Sequence, residues 1–408
     1  MKRLPLVGVL LIAPVLLAAD WPQWLGPDRN GTSHEVVKAW KEPLKVLWKK
    51  PVGEGHSSPV VANGRVLLHT RVGNKDEESL SAFDAKSGEL LWKSAEQKRG
   101  KFADPFKFGS GPRATPAVFD GKAYTFGITG LLTCIDTETG KLVWEIDTLK
   151  KYKANNLFFG VSSSPMVRGD LVLVTIGGKG SCVVAFDRET GEEVWKSLDD
   201  NASYSSPITR GKGKDREIVC LTGKRLVGLS PIDGKLLWDF PLVDKLSESS
   251  TTPVVAGDIL FGSSVTYGGV AIKLEKESGK TEAKEVWKDA KYNCYFSTPV
   301  AAGKDLYMVT GSLLQKKATL RCVQAATGKQ HWTRENVGAY HASLLRTGDG
   351  NLLMLEEDGD LVLIEPDSEQ YRELARSKIC GNTWAHPALS DGRLYVRDKN
   401  ELICVQLP

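Results

Sequence analysis

From residue 44 onward the chain is written in short apolar runs of about five residues, each closed by a turn-forming pair. Residues 116–145 show the pattern well. Pro116-Ala117-Val118-Phe119 stops at Asp120-Gly121, and Ala123-Tyr124-Thr125-Phe126-Gly127 follows. Thr129-Gly130 then leads into Leu131-Leu132-Thr133-Cys134-Ile135-Asp136, and Thr137-Glu138-Thr139-Gly140 into Lys141-Leu142-Val143-Trp144-Glu145. Runs this short, rich in β-branched and aromatic residues, read as strands. Glycine supplies the left-handed backbone that the sharp corners need. No segment keeps apolar residues at a 3.6-residue spacing for long, so a helical solenoid is excluded.

Two markers repeat along this pattern. The first is a Ser/Thr-Pro step: Ser58-Pro59, Thr115-Pro116, Ser164-Pro165, Ser206-Pro207, Thr252-Pro253 and Thr298-Pro299, with Ser343-Leu344 and His386-Pro387 as weaker forms. The second is a tryptophan: Trp48, Trp92, Trp144, Trp195, Trp238, Trp287 and Trp332. Both recur about every 47 residues, and a fixed period of that size signals a repeat architecture. Four short antiparallel strands per period make a propeller blade, and the markers count eight blades. Residues 44–48 read as an outermost strand with no blade before them, whereas the last unit lacks an outermost strand. The N-terminal strand is therefore expected to complete the last blade, which leaves no open sheet edge. The expectation is an all-β, eight-bladed propeller of four-stranded antiparallel blades.

The turn before the tryptophan carries a resemblance. Ala82-Phe83-Asp84-Ala85-Lys86-Ser87-Gly88-Glu89-Leu90-Leu91-Trp92 recurs as Ala185-Phe186-Asp187-Arg188-Glu189-Thr190-Gly191-Glu192-Glu193-Val194-Trp195. This resembles the pyrroloquinoline-quinone-like repeat family of eight-bladed propellers, over nearly all of the chain after residue 44. The segment Asp20-Trp21-Pro22-Gln23-Trp24-Leu25-Gly26-Pro27 looks like the opening of exported bacterial members. The resemblance implies that the seven repeated tryptophans are structural and dock against the neighbouring blade. The seventh blade departs from the motif, since residues 365–371 carry neither the Gly nor the Trp. Two kinds of member are implied. Quinoprotein dehydrogenases have a vicinal cysteine pair, a calcium site and an aspartate base. Assembly factors scaffold outer-membrane protein insertion and are usually lipoproteins. This chain has no Cys-Cys dipeptide, and Asp84, Asp136, Asp187 and Asp233 fall in the repeated turns, where local hydrogen bonds to backbone explain them. No catalytic residue and no metal site is expected. Pyrroloquinoline quinone enters only as the cofactor of the alternative, enzymatic reading.

Composition narrows the function further. The 54 Lys and Arg against 50 Asp and Glu give a net charge of +4, which gives no argument for nucleic acid as a partner. Lys2 and Arg3, the apolar run from Leu4 to Leu17, and Ala18-Ala19 have the parts of a secretory signal peptide. The expected organisation is a signal peptide at 1–19, an N-terminal extension at 20–43 and the propeller at 44–408. No Cys ends the apolar run, so a lipid anchor there is not expected, and no later stretch reaches the ~20 residues a spanning helix needs. The mature protein is expected to be exported, soluble and monomeric. Seven cysteines at uneven positions, without a C-x-x-C, read as small buried hydrophobes. Gly279-Lys280-Thr281 lacks the first glycine of a phosphate loop, and His34-Glu35 lacks the second metalloprotease histidine.

One constellation follows from the register. The residue three before each inner-strand proline, or its equivalent, is His56, Arg113, Ser162, Tyr204, Ser250, Phe296, His341 and Trp384. A packing position repeats its residue type, but this one does not. These residues are expected to ring the mouth of the central channel and to bind a ligand there. Arg113 would supply charge for a carboxylate. Tyr204, Phe296 and Trp384 would supply faces for stacking, and His56 and His341 would make binding pH-sensitive. Together the sequence predicts a non-catalytic scaffold that recognises an envelope protein or small ligand at this mouth. The alternative is a quinone-dependent oxidoreductase acting on an alcohol or sugar.

Overall fold

The computed structural model describes residues 20–104, 108–311 and 316–408; the expected signal peptide lies outside the described residues. Eight antiparallel sheets follow one another in chain order, each running from an inner to an outer strand. The second blade is typical, with strands Ala117–Phe119, Lys122–Phe126, Leu131–Asp136 and Leu142–Asp147. The first blade gains a short extra strand, Gln97–Lys98, on its third strand. The last blade is completed by the N-terminal strand Val46–Pro51, which pairs antiparallel with Glu401–Gln406. Closure from both chain ends is therefore as the repeat predicts, with the strand starting two residues later than the apolar pattern suggested.

The outer strands explain the repeated tryptophans. In all eight, the register slips where the third strand meets the fourth. Such a bulge re-aims the side chain next to it. In seven blades that side chain is the Trp, and the residue facing it across the third strand is small: Ala82, Cys134, Ala185, Gly228, Ala271, Cys322 or Cys404. This is why three cysteines occupy equivalent positions. All seven cysteines are free and buried.

Six of the tryptophans reach the next blade. The indole N–H of Trp48 donates to the Ala85 carbonyl at 3.2 Å, Trp92 to Thr137 at 3.0 Å and Trp144 to Arg188 at 3.1 Å. Trp195 donates to Pro231 at 3.4 Å, Trp287 to Ala325 at 2.7 Å and Trp332 to Asp367 at 2.7 Å. The repeated turn glycine serves the Trp of the preceding blade, not its own. A Cβ added at Gly88 would come 2.6 Å from the Trp48 ring, and one at Gly140 2.6 Å from Trp92. Gly88 and Gly140 also sit at φ +70° and +71°, so clearance and conformation ask for the same residue. Trp238 docks without that hydrogen bond. It faces a fifth blade whose outer strands, Gly268–Glu277 and Lys280–Asp289, run ten residues each. Its N–H donates instead to Glu217 of its own blade at 2.7 Å, although its ring still packs with Leu260 and Ile272 of the next.

The Ser/Thr-Pro step has an equally direct cause. The hydroxyl before the proline accepts the backbone N–H of the equivalent residue one blade earlier. Ser58 N–H donates to Thr115 Oγ1 at 3.2 Å, Thr115 to Ser164 Oγ at 2.9 Å and Ser164 to Ser206 Oγ at 2.9 Å. Thr252 donates to Thr298 Oγ1 at 3.3 Å, and His386 closes the belt on Ser58 Oγ at 2.9 Å. These N–H groups lie two residues before the inner strands, which in these blades are three residues long, and would otherwise lack partners.

Candidate functional site

The belt lines a central channel, and the N-terminal extension stops one end of it. Residues 20–35 cross the face where the inner strands end. Trp21 pairs with Val61 of the first blade, and the Pro22 carbonyl accepts Val118 N–H of the second. The buried Arg29 donates from Nε to the Pro207 carbonyl at 2.7 Å, from Nη1 to Pro165 at 2.9 Å and from Nη2 to Ser164 at 3.2 Å. Trp24 donates to Thr252 Oγ1 at 2.9 Å and meets the His386 ring at 4.6 Å. Ser33 N–H reaches the Arg346 carbonyl of the seventh blade, and Glu35 accepts from Asp391 and Gly392 of the eighth.

At the opposite end the channel opens into a cup of about 140 Å³ with Trp24 in its floor. His56, Arg113, Tyr204, Phe296 and Trp384 line this cup together with Ser162 and Ser250. His341 does not. It lies beneath, 2% exposed, with its ring nitrogens against the Phe296 carbonyl, Ser297 Oγ and Ser343 Oγ. Residues off the register complete the wall. Phe108 and Phe159 come from the connections between the first three blades, and Glu248 and Tyr295 from positions beside the register. The rings form a chain: Tyr204–Phe159 at 5.9 Å, Phe159–Phe108 at 6.2 Å, Phe108–Trp384 at 5.2 Å, Trp384–Phe296 at 5.1 Å and Phe296–Tyr295 at 3.9 Å. Apart from the closer Phe296–Tyr295 stack, these centroid separations are those of attractive aromatic pairs.

The polar groups of the cup are already engaged. Arg113 donates to the Phe159 carbonyl at 2.7 Å and the Gly109 carbonyl at 3.1 Å, and pairs with Asp104 at 3.3 Å. The Trp384 N–H donates to Glu357 at 2.9 Å, and the same carboxylate accepts from Tyr340 N–H. The Tyr295 hydroxyl donates to Glu248. Burial, then the nearby Arg113 charge, pushes the His56 pKa down to about 3. Burial pushes His341 to about 4 against the opposing pull of Glu357. Burial therefore keeps both histidines neutral over the pH 5–8 range in which the sequence expected them to titrate.

Pyrroloquinoline quinone is a planar tricyclic tricarboxylate, and these residues do not fit it. The cup is smaller than the ~300 Å³ at which small-molecule pockets begin. Its one guanidinium is committed to Asp104 and two carbonyls, and Glu248 would face an anion with a carboxylate. The only cluster of carboxylates close enough to share a cation, among the described residues, is Glu356, Asp358 and Asp360. It does not line the cup.

Comparison with known proteins places the chain. A family model described as outer membrane protein assembly factor BamB matches residues 30–103 and 76–334. An outer membrane protein assembly factor BamB from Shewanella oneidensis is 22% identical over 393 residues, covering 89% of each chain. The dehydrogenase subunit of a quinone alcohol dehydrogenase from Gluconobacter oxydans is 30% identical over 220 residues, which are 50% of this chain and 28% of that protein. The chain thus spans less than a third of the quinone dehydrogenase relatives it matches. The crystal structure of quinohemoprotein alcohol dehydrogenase from Comamonas testosteroni shares the fold, with a TM-score of 0.69 at 13% identity, over 95% of this chain and 80% of that one. With a repeat that agrees with the family match over residues 30–334, the chain belongs to the family of outer membrane protein assembly factor BamB.

Proposed function

We propose that this protein is an exported, non-catalytic scaffold of the cell envelope that holds a partner protein at the channel mouth. The observation that carries the reading is the ring of six aromatic side chains around a cup of about 140 Å³. That space suits a single apolar anchor side chain of a partner, the usual core of a protein interface. Exposed Phe158, Val243 and Leu246 belong to segments leading to the same mouth and extend the apolar rim. The similarity to BamB over 89% of both chains supports an envelope partner. No helix of the described residues is long and apolar enough to cross a membrane. Trp384 and Phe296 would grip the anchor, with Arg113 and His56 at the polar edge.

The test is affinity capture from envelope extract with the parent protein and with Phe296→Ala and Trp384→Ala. A partner retained by the parent and lost by both variants, with folding intact, supports the proposal. A partner retained equally by all three refutes it. The second reading is a quinone-dependent oxidoreductase acting on an alcohol or sugar, favoured by the 30% identity to a quinone alcohol dehydrogenase. Stoichiometric quinone absorbance on the purified protein, with dye reduction by an alcohol, would establish it instead.

A further inference from the structure

The face stopped by the N-terminal extension carries a second concavity that the channel mouth does not share. It is a cleft of about 400 Å³ between residues 25–32 and the inner strands of the fourth to seventh blades. One wall is apolar, made by Leu25, Ile208, Val254 and Val255. The other is cationic: Arg29, Arg210, Lys212, Arg216 and Arg346 line it, against the single carboxylate of Asp28. Two of these cations are spent, Arg29 on backbone carbonyls and Arg210 on Glu217 at 3.0 Å. Arg346 is not. Its Nη1 donates to the Ala301 carbonyl at 3.1 Å, while its Nε is buried without a hydrogen-bond partner. Its backbone is fixed to the extension on both sides, by N–H to Gly31 and carbonyl to Ser33. Arg216 adds its charge near Arg168, whose pKa is lowered first by burial and then by Arg216. Like charges gathered at one place, with a buried donor left open, are costly unless an anion joins them. Thr32, Thr209, Thr298 and Asn30 add neutral polar groups around the same space.

We propose that this cleft binds a phosphate ester, with the phosphate held by Lys212, Arg216 and Arg346 and the body of the molecule against the apolar wall. Guanidinium forks approaching from different blades, joined by hydroxyls, match the several oxygens of a phosphate better than the single plane of a carboxylate. No aromatic ring lines the cleft, so nothing there would stack a nucleic-acid base. The ester's source is either a soluble sugar phosphate or a phospholipid headgroup, and the two are separable by experiment.

The full chain is titrated calorimetrically with glucose 6-phosphate, and by co-sedimentation with phosphatidylcholine vesicles with and without phosphatidylglycerol. The same titrations use Arg346→Gln and the double variant Lys212→Ala/Arg216→Ala. The proposal expects saturable binding in at least one arm, weakened about tenfold or more by the double variant at an unchanged melting temperature. Binding to the sugar phosphate alone assigns a soluble ligand, and binding to the anionic vesicles alone assigns a headgroup. No saturable binding in either arm overturns the proposal. Binding that both variants leave unchanged overturns it as well.

Discussion

Replacing Arg29 by alanine tests whether the N-terminal extension is part of the folded ring or only lies on it. Arg29 is 4% exposed, and its four acceptors are carbonyl oxygens of Pro207, Pro165, Ser164 and the Gln23 side chain. None is a carboxylate. Burial lowers its pKa to about 9, so it is charged at neutral pH. Two effects oppose each other. Removing the guanidinium leaves three buried backbone carbonyls of the third and fourth blades without their donor, at ~1–3 kcal/mol each. It also removes an unpaired buried charge, whose burial costs several kcal/mol. The carbonyls should dominate, because they remain in the protein while the charge was already stabilised by them; a net loss of ~3 kcal/mol follows. With ~2.1 cal/mol/K of unfolding entropy per residue over about 390 residues, 1 kcal/mol is little more than 1 °C, so the melting temperature should fall by ~4 °C. Hydrogen exchange gives the sharper readout. The amides of Arg29 and Gly31, bonded to Gly26 and Leu25 within the extension, should lose protection before the strands do. Arg29→Met keeps the bulk and removes the charge. If Arg29→Met melts like the parent with those amides still protected, the carbonyl contacts do not hold the extension and the reasoning fails.

Stability should fall steeply below pH 6.5. Folding depresses the pKa of His56 and His69 to about 3 and of His341 to about 4, and burial lowers that of His386 as well, so the unfolded chain binds more protons as pH drops through 6.5. Glu78 works the other way, raised to about 7 by burial, and cancels one proton between pH 4.5 and 7. The net of three protons gives a slope near ~4 kcal/mol per pH unit around pH 5; urea midpoints that stay flat from pH 7 to 5 would exclude it. Arg113→Ala should cost ~2–4 kcal/mol of stability, because it strips a donor from two carbonyls and removes the ion pair with Asp104. Trp384→Ala should cost less and act mainly on partner binding; thermal melts beside the capture assay distinguish the two. The seven thiols should resist a thiol-labelling reagent until the protein unfolds, since burial raises Cys134, Cys220, Cys294, Cys322 and Cys380 to about 12 and Cys404 to about 11. Rapid labelling of any one in the native protein would contradict the packing.

What repeats was legible in the sequence, and what happens once was not. The blades, the Trp and the Ser/Thr step each have seven or eight copies, so their period stands out from noise, and the outer strand missing from the last unit stands out against that period. Register arithmetic even placed His56, Arg113, Tyr204, Phe296 and Trp384 around one cup. The same arithmetic put His341 in the ring, but side-chain depth is not periodic, and His341 lies in the layer below. It also expected titrating histidines, because burial of an imidazole depends on neighbours such as Phe108 and Trp384 that arrive from other connections. The extension was invisible as a channel stopper since its partners lie up to 357 residues away. Yet a signal was present. The chain has 11 Trp, and seven fall on the period. The four left over are Trp21, Trp24, Trp40 and Trp384. Trp21 and Trp24 hold the extension in place, and Trp40 donates to Ser377 of the seventh blade at 2.9 Å. Trp384 forms the wall of the cup. A tryptophan costs too much exposed apolar area to be left off the packing period without another burial site. Subtracting the period from the aromatic residues therefore points to the parts of this propeller that its repeat does not build, the stopper and the mouth.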